Sequence, residues 1–436
     1  MKAVFMDVDT KETIVPINKD FANGFGIRPR IGNSLLARFL EHMRGKEKVP
    51  LFSFAQGAAM LHANGFEVSY SLNEIPGEAD LVMFAPAMAN HKSEIKKMHE
   101  VKERVPGVKV GVMGTFATVR PDVFVEHADF VIAGEPEEAL QKIKGKDSIP
   151  QGIVKSESLM DLDALPFPKW DIFDYKKFTF KPIIRETPFG FILSQRTCPY
   201  GCYYCPYRFG GKYRQKSPER TVEEVEHLVN RYGVKGIMFR DPIFSMSRER
   251  AEKIAKLLIE KNLGIKFVIE TRLDRLDKEL VDLLYEAGVR VIKIGVESAD
   301  KKMLVRSRRL PIEIQHQEDM IGYCDKKGIK IVAFYIIGLP DDTKDNVLNT
   351  IEYAKRINTH GAQFTVCTPY PGTPYFEEVK DLIDDHNLEH YDSFTPVFNH
   401  PNLTKDEIYS LKEKAYLSYY IRPKYVLSYI RRSLKA

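Results

Sequence analysis

The sequence predicts an α/β protein with two parallel-sheet units and a C-terminal helical tail. The first unit is an N-terminal Rossmann-like doubly wound parallel sheet, and the second a partial (β/α)6 TIM-like barrel. Three features predict this. Short apolar runs alternate with helical periods through residue 145, a Pro- and aromatic-rich stretch breaks the rhythm, and six strand–helix repeats follow from Phe191.

In chain order, KAVFMDV reads as a strand and Asn33 to His42 carries helical periodicity. Pro50 to Gly65 reads as a helix ending at glycine, followed by the strand FEVSY. ADLVMFA, a charged helix from Ser93 to Arg104, VKVGVMG, a short helix after Pro121, and ADFVIAG complete the βα rhythm. Ligands of such sheets bind beyond the carboxyl ends of the strands, which here are the loops Gly114–Thr118 and Gly134–Pro136. LPFPKWDIFDYKKF has no period and reads as a linker in which Trp170 staples the two units together. The strands FILSQR, GIMFR, KFVIE, VIKIG, KIVAFYIIG and QFTVC then alternate with helices at Pro218–Tyr232, Arg248–Lys261, Lys278–Glu286, Ile312–Lys327 and Asp345–Arg356. A helical, Tyr-rich and basic tail begins after Thr404 and is expected to close the barrel's bottom, cover the substrate or touch a membrane surface. The expected domains are 1–145, a linker 146–187, the barrel 188–385 and a helical region 386–436.

With 436 residues, 44% hydrophobic and 29% charged, the composition is that of an ordinary globular protein. The net charge of +5 is spread along the chain, which makes no case for nucleic acid. No apolar run reaches the roughly 18 residues of a membrane span, and five cysteines, three of them clustered, do not make a secreted disulfide framework. The expected compartment is the cytoplasm.

The cluster is Cys198, Cys202 and Cys205, spaced C-x-x-x-C-x-x-C in the loop after the first barrel strand. The active face of a βα barrel is at the carboxyl ends of its strands, so the thiols fall where chemistry is expected. Structural zinc wants a fourth ligand, yet the first histidine after Cys205 is His227, well into the next helix. A redox dithiol needs only two cysteines. A [4Fe–4S] cluster held by three thiolates instead leaves one iron open, and this is the favoured reading.

C-x-x-x-C-x-aromatic-C at the first loop of a six-unit barrel resembles the radical S-adenosylmethionine (SAM) superfamily. RQKSPERTVEEVEHLVNRYGVKGIMFRDPIFSMSRER, IETRLDRLDKELVDLLYEAGVRVIKIGVES, FYIIGLPDDT and TPYPGTPYFEE are similar to later units of the class with an N-terminal cobalamin-binding domain. GTFATVRPDVFVEHADFVIAGEPEEAL resembles that domain's nucleotide-tail loops, and DLDALPFPKWD and YLSYYIRPKYVLSYIRR resemble the class's linker and C-terminal helices. The resemblance implies that Cys198, Cys202 and Cys205 hold the cluster, whose open iron binds SAM and cleaves it reductively to methionine and a 5′-deoxyadenosyl radical. It implies SAM contacts at Tyr204, Asp241, Glu270, Arg272, Glu297, Ser298 and Gly338, and cobalamin contacts at Gly114, Thr115, Thr118, Gly134 and Glu135. The implied reaction is cobalamin-dependent methylation of an unactivated carbon of a small-molecule or natural-product substrate, with flavodoxin or ferredoxin as electron donor. The alternative is a radical cyclisation, rearrangement or other non-methylating reaction on a natural-product or lipid-like precursor.

Two departures stand out. The D-x-H-x-x-G pattern that supplies an axial histidine in other cobalamin proteins is absent, and MGTFAT stands where the class often has G-G-x-H-x-T. A first domain that only holds substrate is the alternative for this half. Cys324 reads as a small buried hydrophobe, and Cys367, ending the sixth strand, as a core thiol near the barrel mouth with radical quenching or proton donation as its functional alternative.

Overall fold

The computed structural model describes residues 1–9, 19, 24–44, 49–209 and 211–435. Its first sheet contains β1 (Lys2–Asp7), β2 (Glu67–Leu72), β3 (Leu81–Phe84), β4 (Lys109–Val112), β5 (Phe130–Gly134) and β6 (Gly152–Ser156). All pair in parallel, in the order β2-β1-β3-β4-β5-β6. Because the strand order reverses between β1 and β3, a crevice opens at their carboxyl ends. The intervening helices are α1 (Leu35–Arg44), α2 (Phe52–Ala63), α3 (His91–Arg104), α4 (Thr115–Val119) and α5 (Pro136–Lys142). All four residues of β3 are buried, as expected of a strand covered on both faces.

Three sequence expectations differ here. The stretch Gly114–Thr118, read as a loop, overlaps α4 from Thr115 on, a helix too short to show a period. It is held by the Thr118 hydroxyl donating to the Gly114 carbonyl at 2.8 Å. After Pro121 there is only a 3-10 turn, Pro121–Val123. The sixth strand, β6, lies inside the segment read as linker. It is an edge strand with alternating exposure, and so lacks the apolar run that marks its neighbours.

The second sheet runs β7 (Phe189–Ile192), β10 (Gly236–Phe239), β11 (Lys266–Thr271), β12 (Val289–Glu297), β13 (Lys330–Ile337) and β14 (Gly361–Val366), all parallel. A two-stranded hairpin, β8 (Gln195–Arg196) with β9 (Arg214–Gln215), forms the neck of the cysteine loop. The barrel helices are α6 (Pro218–Tyr232), α7 (Arg248–Lys261), α8 (Lys278–Glu286), α9 (Lys301–Arg306), α10 (Ile314–Lys327), α11 (Lys344–Ile357) and α12 (Pro374–Val379). Their starts follow from side-chain caps: Ser217, Ser247, Asp277 and Thr343 each accept from a backbone N–H in the first turn. The tail forms α13 (Lys405–Tyr420) and α14 (Pro423–Lys435).

Six strands do not close a barrel, so both outer strands need cover. On β14 the tail's tyrosines supply it. The Tyr420 hydroxyl accepts from the Ala362 N–H at 2.9 Å and donates to the Ala362 carbonyl at 2.6 Å. The Tyr416 hydroxyl accepts from the Phe364 N–H, and Tyr425 donates to the His360 carbonyl. The tail thus seals this edge of the sheet. On β7, the Phe178 carbonyl of the linker accepts from the Phe189 N–H.

The two sheet units are joined by charge, and the linker packs its aromatic rings on the first. Arg214 grips Glu135 in a bidentate pair at 2.6 and 2.8 Å, both side chains largely buried. Trp170 is buried against Phe52 of the first unit and Phe173 of the linker, so its ring ties the linker to the first sheet unit.

Two variants test this packing. Tyr420→Phe leaves both polar groups of Ala362 without that partner and is expected to cost about 2 kcal/mol in urea unfolding. The turn after β13 is tied by Asp342, which accepts from the Gly338 and Leu339 N–H groups, and burial raises its pKa to about 7. A carboxyl whose folded pKa exceeds its unfolded value of about 3.9 opposes folding increasingly as pH rises from about 4 to 7. Asp342→Asn keeps the acceptor and cannot ionise, so its stability relative to the native chain is expected to rise over that interval.

Candidate functional site

The cysteine loop is anchored from behind. Asp241, at the end of β10, accepts from the Ser194 and Gln195 N–H groups at 2.7 and 2.8 Å and from the Ser194 hydroxyl. Arg250 of α7 donates to the same serine hydroxyl at 2.8 Å. The chain then turns through Thr197, a non-glycine residue with φ 66°, into Cys198. Further on, the Tyr203 N–H donates to the Ser307 carbonyl and the Cys205 N–H to the Cys202 carbonyl.

Cys198, Cys202 and Cys205 line one cavity of about 710 Å3 at the carboxyl ends of the barrel strands. Among the described residues, no three of His, Cys, Asp and Glu converge on a point that could hold a single metal ion. Three thiols that face one space are the donor set of a multi-iron cluster that keeps one position open. Burial raises the pKa of Cys198, and that of Cys205 to about 12. Thiolate formation there therefore depends on the metal that would bind it.

The facing walls carry charge. Arg309 is nearly buried, with Nη1 4.0 Å from Cys202 Sγ, and it is held by the Gly295 carbonyl and by Glu297 at 3.3 Å. Burial raises the Glu297 carboxyl, against the pull of Arg309 and Arg272. Glu297 itself has φ 65°, where the β12–β13 register shifts. Arg272 chelates Asp274 and lies 4.8 Å from the Tyr200 ring centroid. Deeper in the barrel, Lys293 donates to Glu270 at 2.6 Å.

Of the SAM contacts expected from sequence, Tyr204, Glu270, Arg272 and Glu297 meet at this cavity. Three expected residues lie outside its lining. Asp241 is fully buried and spends its carboxylate on the loop anchor. The Ser298 hydroxyl bonds Thr350 and accepts from the Asp300 N–H. Gly338 sits in the turn tied by Asp342, beside Ile408 and His400. Cys367 does line the cavity, near the Tyr375 hydroxyl, with its thiol pushed up by burial.

The expected cobalamin contacts are also outside the lining. Thr118 Oγ1 accepts from the Gly134 N–H and ties that loop to Gly114, while Phe116 is buried between His91 and Phe124. Gly134 has φ 129°, and a Cβ there would fall 2.0 Å from the Ser156 carbonyl, so β6 pairing accounts for this glycine. Glu135 is taken by Arg214. The first domain reaches the cavity instead through Asp7, Asp9, Lys19, Tyr70 and Leu72, at and beyond the ends of β1 and β2. Lys19 bridges Asp7 and Glu94. The same carboxyl-end rule that pointed to the later loops could have found DVD after the first strand. Arg309 and Lys293 had only weak signals, a basic RSRR run and a lone charge in an apolar strand.

Residues 192–354 match the Radical SAM superfamily model. An uncharacterized methyltransferase of Pyrococcus horikoshii is 30% identical over 319 residues, covering 71% of this chain and 68% of that one. Among solved structures, the radical SAM methyltransferase TsrM of Kitasatospora setae, with cobalamin and a [4Fe–4S] cluster bound, aligns at TM-score 0.63 and 16% identity. That alignment covers 87% of this chain and 78% of TsrM. The cobalamin-dependent radical SAM enzyme OxsB, with aqua-cobalamin and SAM bound, aligns at TM-score 0.58 and 13% identity, covering 96% of this chain and 55% of that one. With its cysteine loop at the barrel mouth and this relative at 30% identity, the chain belongs to the radical S-adenosylmethionine superfamily.

Proposed function

We propose that this protein is a cobalamin-dependent radical SAM methylase acting on an unactivated carbon of a small-molecule or natural-product substrate. One observation carries the reading: a single cavity has the three cysteines on one wall and the carboxyl end of the first sheet on another. Its lining mixes those groups with rings and aliphatic side chains, as a site for large organic ligands does. The methyltransferase name of the Pyrococcus relative and the cobalamin-binding neighbours support the same reading.

When bound, the cluster supplies the electron that breaks a sulfonium bond of SAM, and cobalamin supplies a transferable methyl group. The chain's own residues do the rest. Cys198, Cys202 and Cys205 would hold the cluster, supplying three of the four thiolates that such a cluster ordinarily takes. The guanidinium forks of Arg272 and Arg309 suit the SAM carboxylate, Glu297 its ammonium, and the Tyr204 ring its adenine. For cobalamin, the ends of β1 and β2 offer the receiving surface, and no histidine is among the described first-domain residues that line it. The electron would come from an external one-electron protein of the flavodoxin or ferredoxin type. Among the described residues no helix is long and apolar enough to cross a membrane.

Anaerobic reconstitution with iron and sulfide, after expression with hydroxocobalamin, tests this. The expected outcome is iron–sulfur absorbance lost in Cys198→Ala, retained corrinoid absorbance, and release of both 5′-deoxyadenosine and S-adenosylhomocysteine. Stoichiometric zinc without SAM cleavage contradicts the enzyme reading, and absence of bound corrinoid contradicts the methylase reading.

Arg309 generates a second expectation. A guanidinium beside a cluster thiolate stabilises the more negative, reduced state. Arg309→Gln is expected to lower the cluster's midpoint potential, measured by EPR-monitored titration without SAM, by roughly 50–100 mV.

A further inference from the structure

The cysteine loop has an outer side as well as a cavity side. It reaches the surface at Pro199 and Gly201, both exposed between Cys198 and Cys202. Its back is joined to the segment formed by α9 and the turn after it. The Tyr203 N–H donates to the Ser307 carbonyl, and Arg309 comes within 4.0 Å of Cys202 Sγ. Electron transfer weakens steeply with distance, so a protein that reduces a metal held by these thiols has to dock close behind them.

That segment is strongly cationic. Residues 301–312 read KKMLVRSRRLPI, with five Lys or Arg and no Asp or Glu. Three of the five are committed: Lys301 to Glu313, Arg306 to Asp341 and Glu378, and Arg309 to Glu297. Lys302 and Arg308 are exposed, and among the described residues no carboxylate pairs with either. Arg309 lines the cavity, whereas Arg308, one residue earlier at φ 52°, stays outside. Arg275 adds a third exposed cation beside the loop, donating to the Tyr200 hydroxyl at 2.6 and 3.1 Å. On either side of Arg308 in the chain, Val305 and Leu310 leave 59% and 58% of their surface in solvent. None of Arg275, Lys302, Val305, Arg308 and Leu310 lines the cavity. Uncovered aliphatic side chains among unpaired cations have the make-up of a protein interface, and the charge they present calls for an acidic partner.

We propose that this face is the docking surface for an acidic one-electron carrier protein of the flavodoxin type. This rests on the radical SAM reading, which puts a cluster on the three cysteines, and it adds the place where the electron enters. The carrier's flavin passes from anionic hydroquinone to neutral semiquinone as the cluster passes from 2+ to 1+, so one electron moves and no proton.

The test compares two reductants of the reconstituted protein at saturating SAM, reading the rate of 5′-deoxyadenosine release. One is limiting reduced flavodoxin, and the other is photoreduced 5-deazaflavin, a small molecule that needs no docking face. The double variant Lys302→Glu, Arg308→Glu is expected to cut the flavodoxin-driven rate about tenfold and to leave the deazaflavin-driven rate unchanged. The milder pair Lys302→Gln, Arg308→Gln is expected to fall between. Raising salt from about 0.05 to 0.5 M is expected to slow the native chain with flavodoxin and to leave the charge-reversed variant nearly unaffected. A flavodoxin-driven rate unchanged by the reversal, equal losses with both reductants, or no flavodoxin-driven release at all overturns the proposal. The native chain with deazaflavin keeps the two readings apart: release there with any of those outcomes removes only the docking face, whereas no release with either reductant removes the radical SAM reading.

Discussion

A parallel sheet that stops at six strands leaves two uncovered edges and an unfilled axis, and much of this molecule answers to that constraint. The edge at β14 would expose a row of unpaired N–H and C=O groups, and three tyrosine hydroxyls of the tail take them up. The linker backs β7 and contributes Phe178, Phe180 and Ile183 to the cavity wall. The space left along the axis is continuous with the cavity that the three cysteines line. An eightfold barrel would fill it with its own side chains.

Rigid placement and reactive chemistry are carried by different residues. Asp241 and Arg250 hold the root of the cysteine loop from within the core, out of reach of any ligand in the cavity. Arg309 and Glu297 face the thiols directly. The strained backbone at Thr197 and Glu297 flanks this assembly on both sides, where strain is tolerated because the surrounding bonds over-determine the conformation. The Arg214–Glu135 clamp ties the hairpin beneath the cysteine loop to the first domain, so the position of one wall of the cavity is referred to the other.

The fold was largely legible in the sequence, because periodicity survives in long amphipathic helices and buried parallel strands. What escaped was short or marginal: the five-residue α4 and the edge strand β6 carry too few residues to show a period. The cysteine spacing announced its own chemistry. Position at the end of a strand did less well for single residues. It brought Glu270, Arg272 and Glu297 to the cavity, yet it also pointed to Asp241 and Ser298, which are buried in the hydrogen bonds of turns. A carboxylate at a strand end caps a turn or meets a ligand according to which way a single φ/ψ pair sends it, and residue type alone does not encode that. Arg309 was hidden for the opposite reason: it lies far along the chain from Cys202 and reaches it only through tertiary packing.

The central claim is that three thiols facing one cavity hold a cluster whose fourth iron is kept for SAM. Mössbauer spectroscopy of the protein reconstituted with 57Fe addresses it directly. The account predicts a [4Fe–4S]2+ signal in which about a quarter of the iron changes its parameters when SAM is added. A spectrum that SAM leaves unchanged, or a protein that takes up zinc in place of iron, would contradict it.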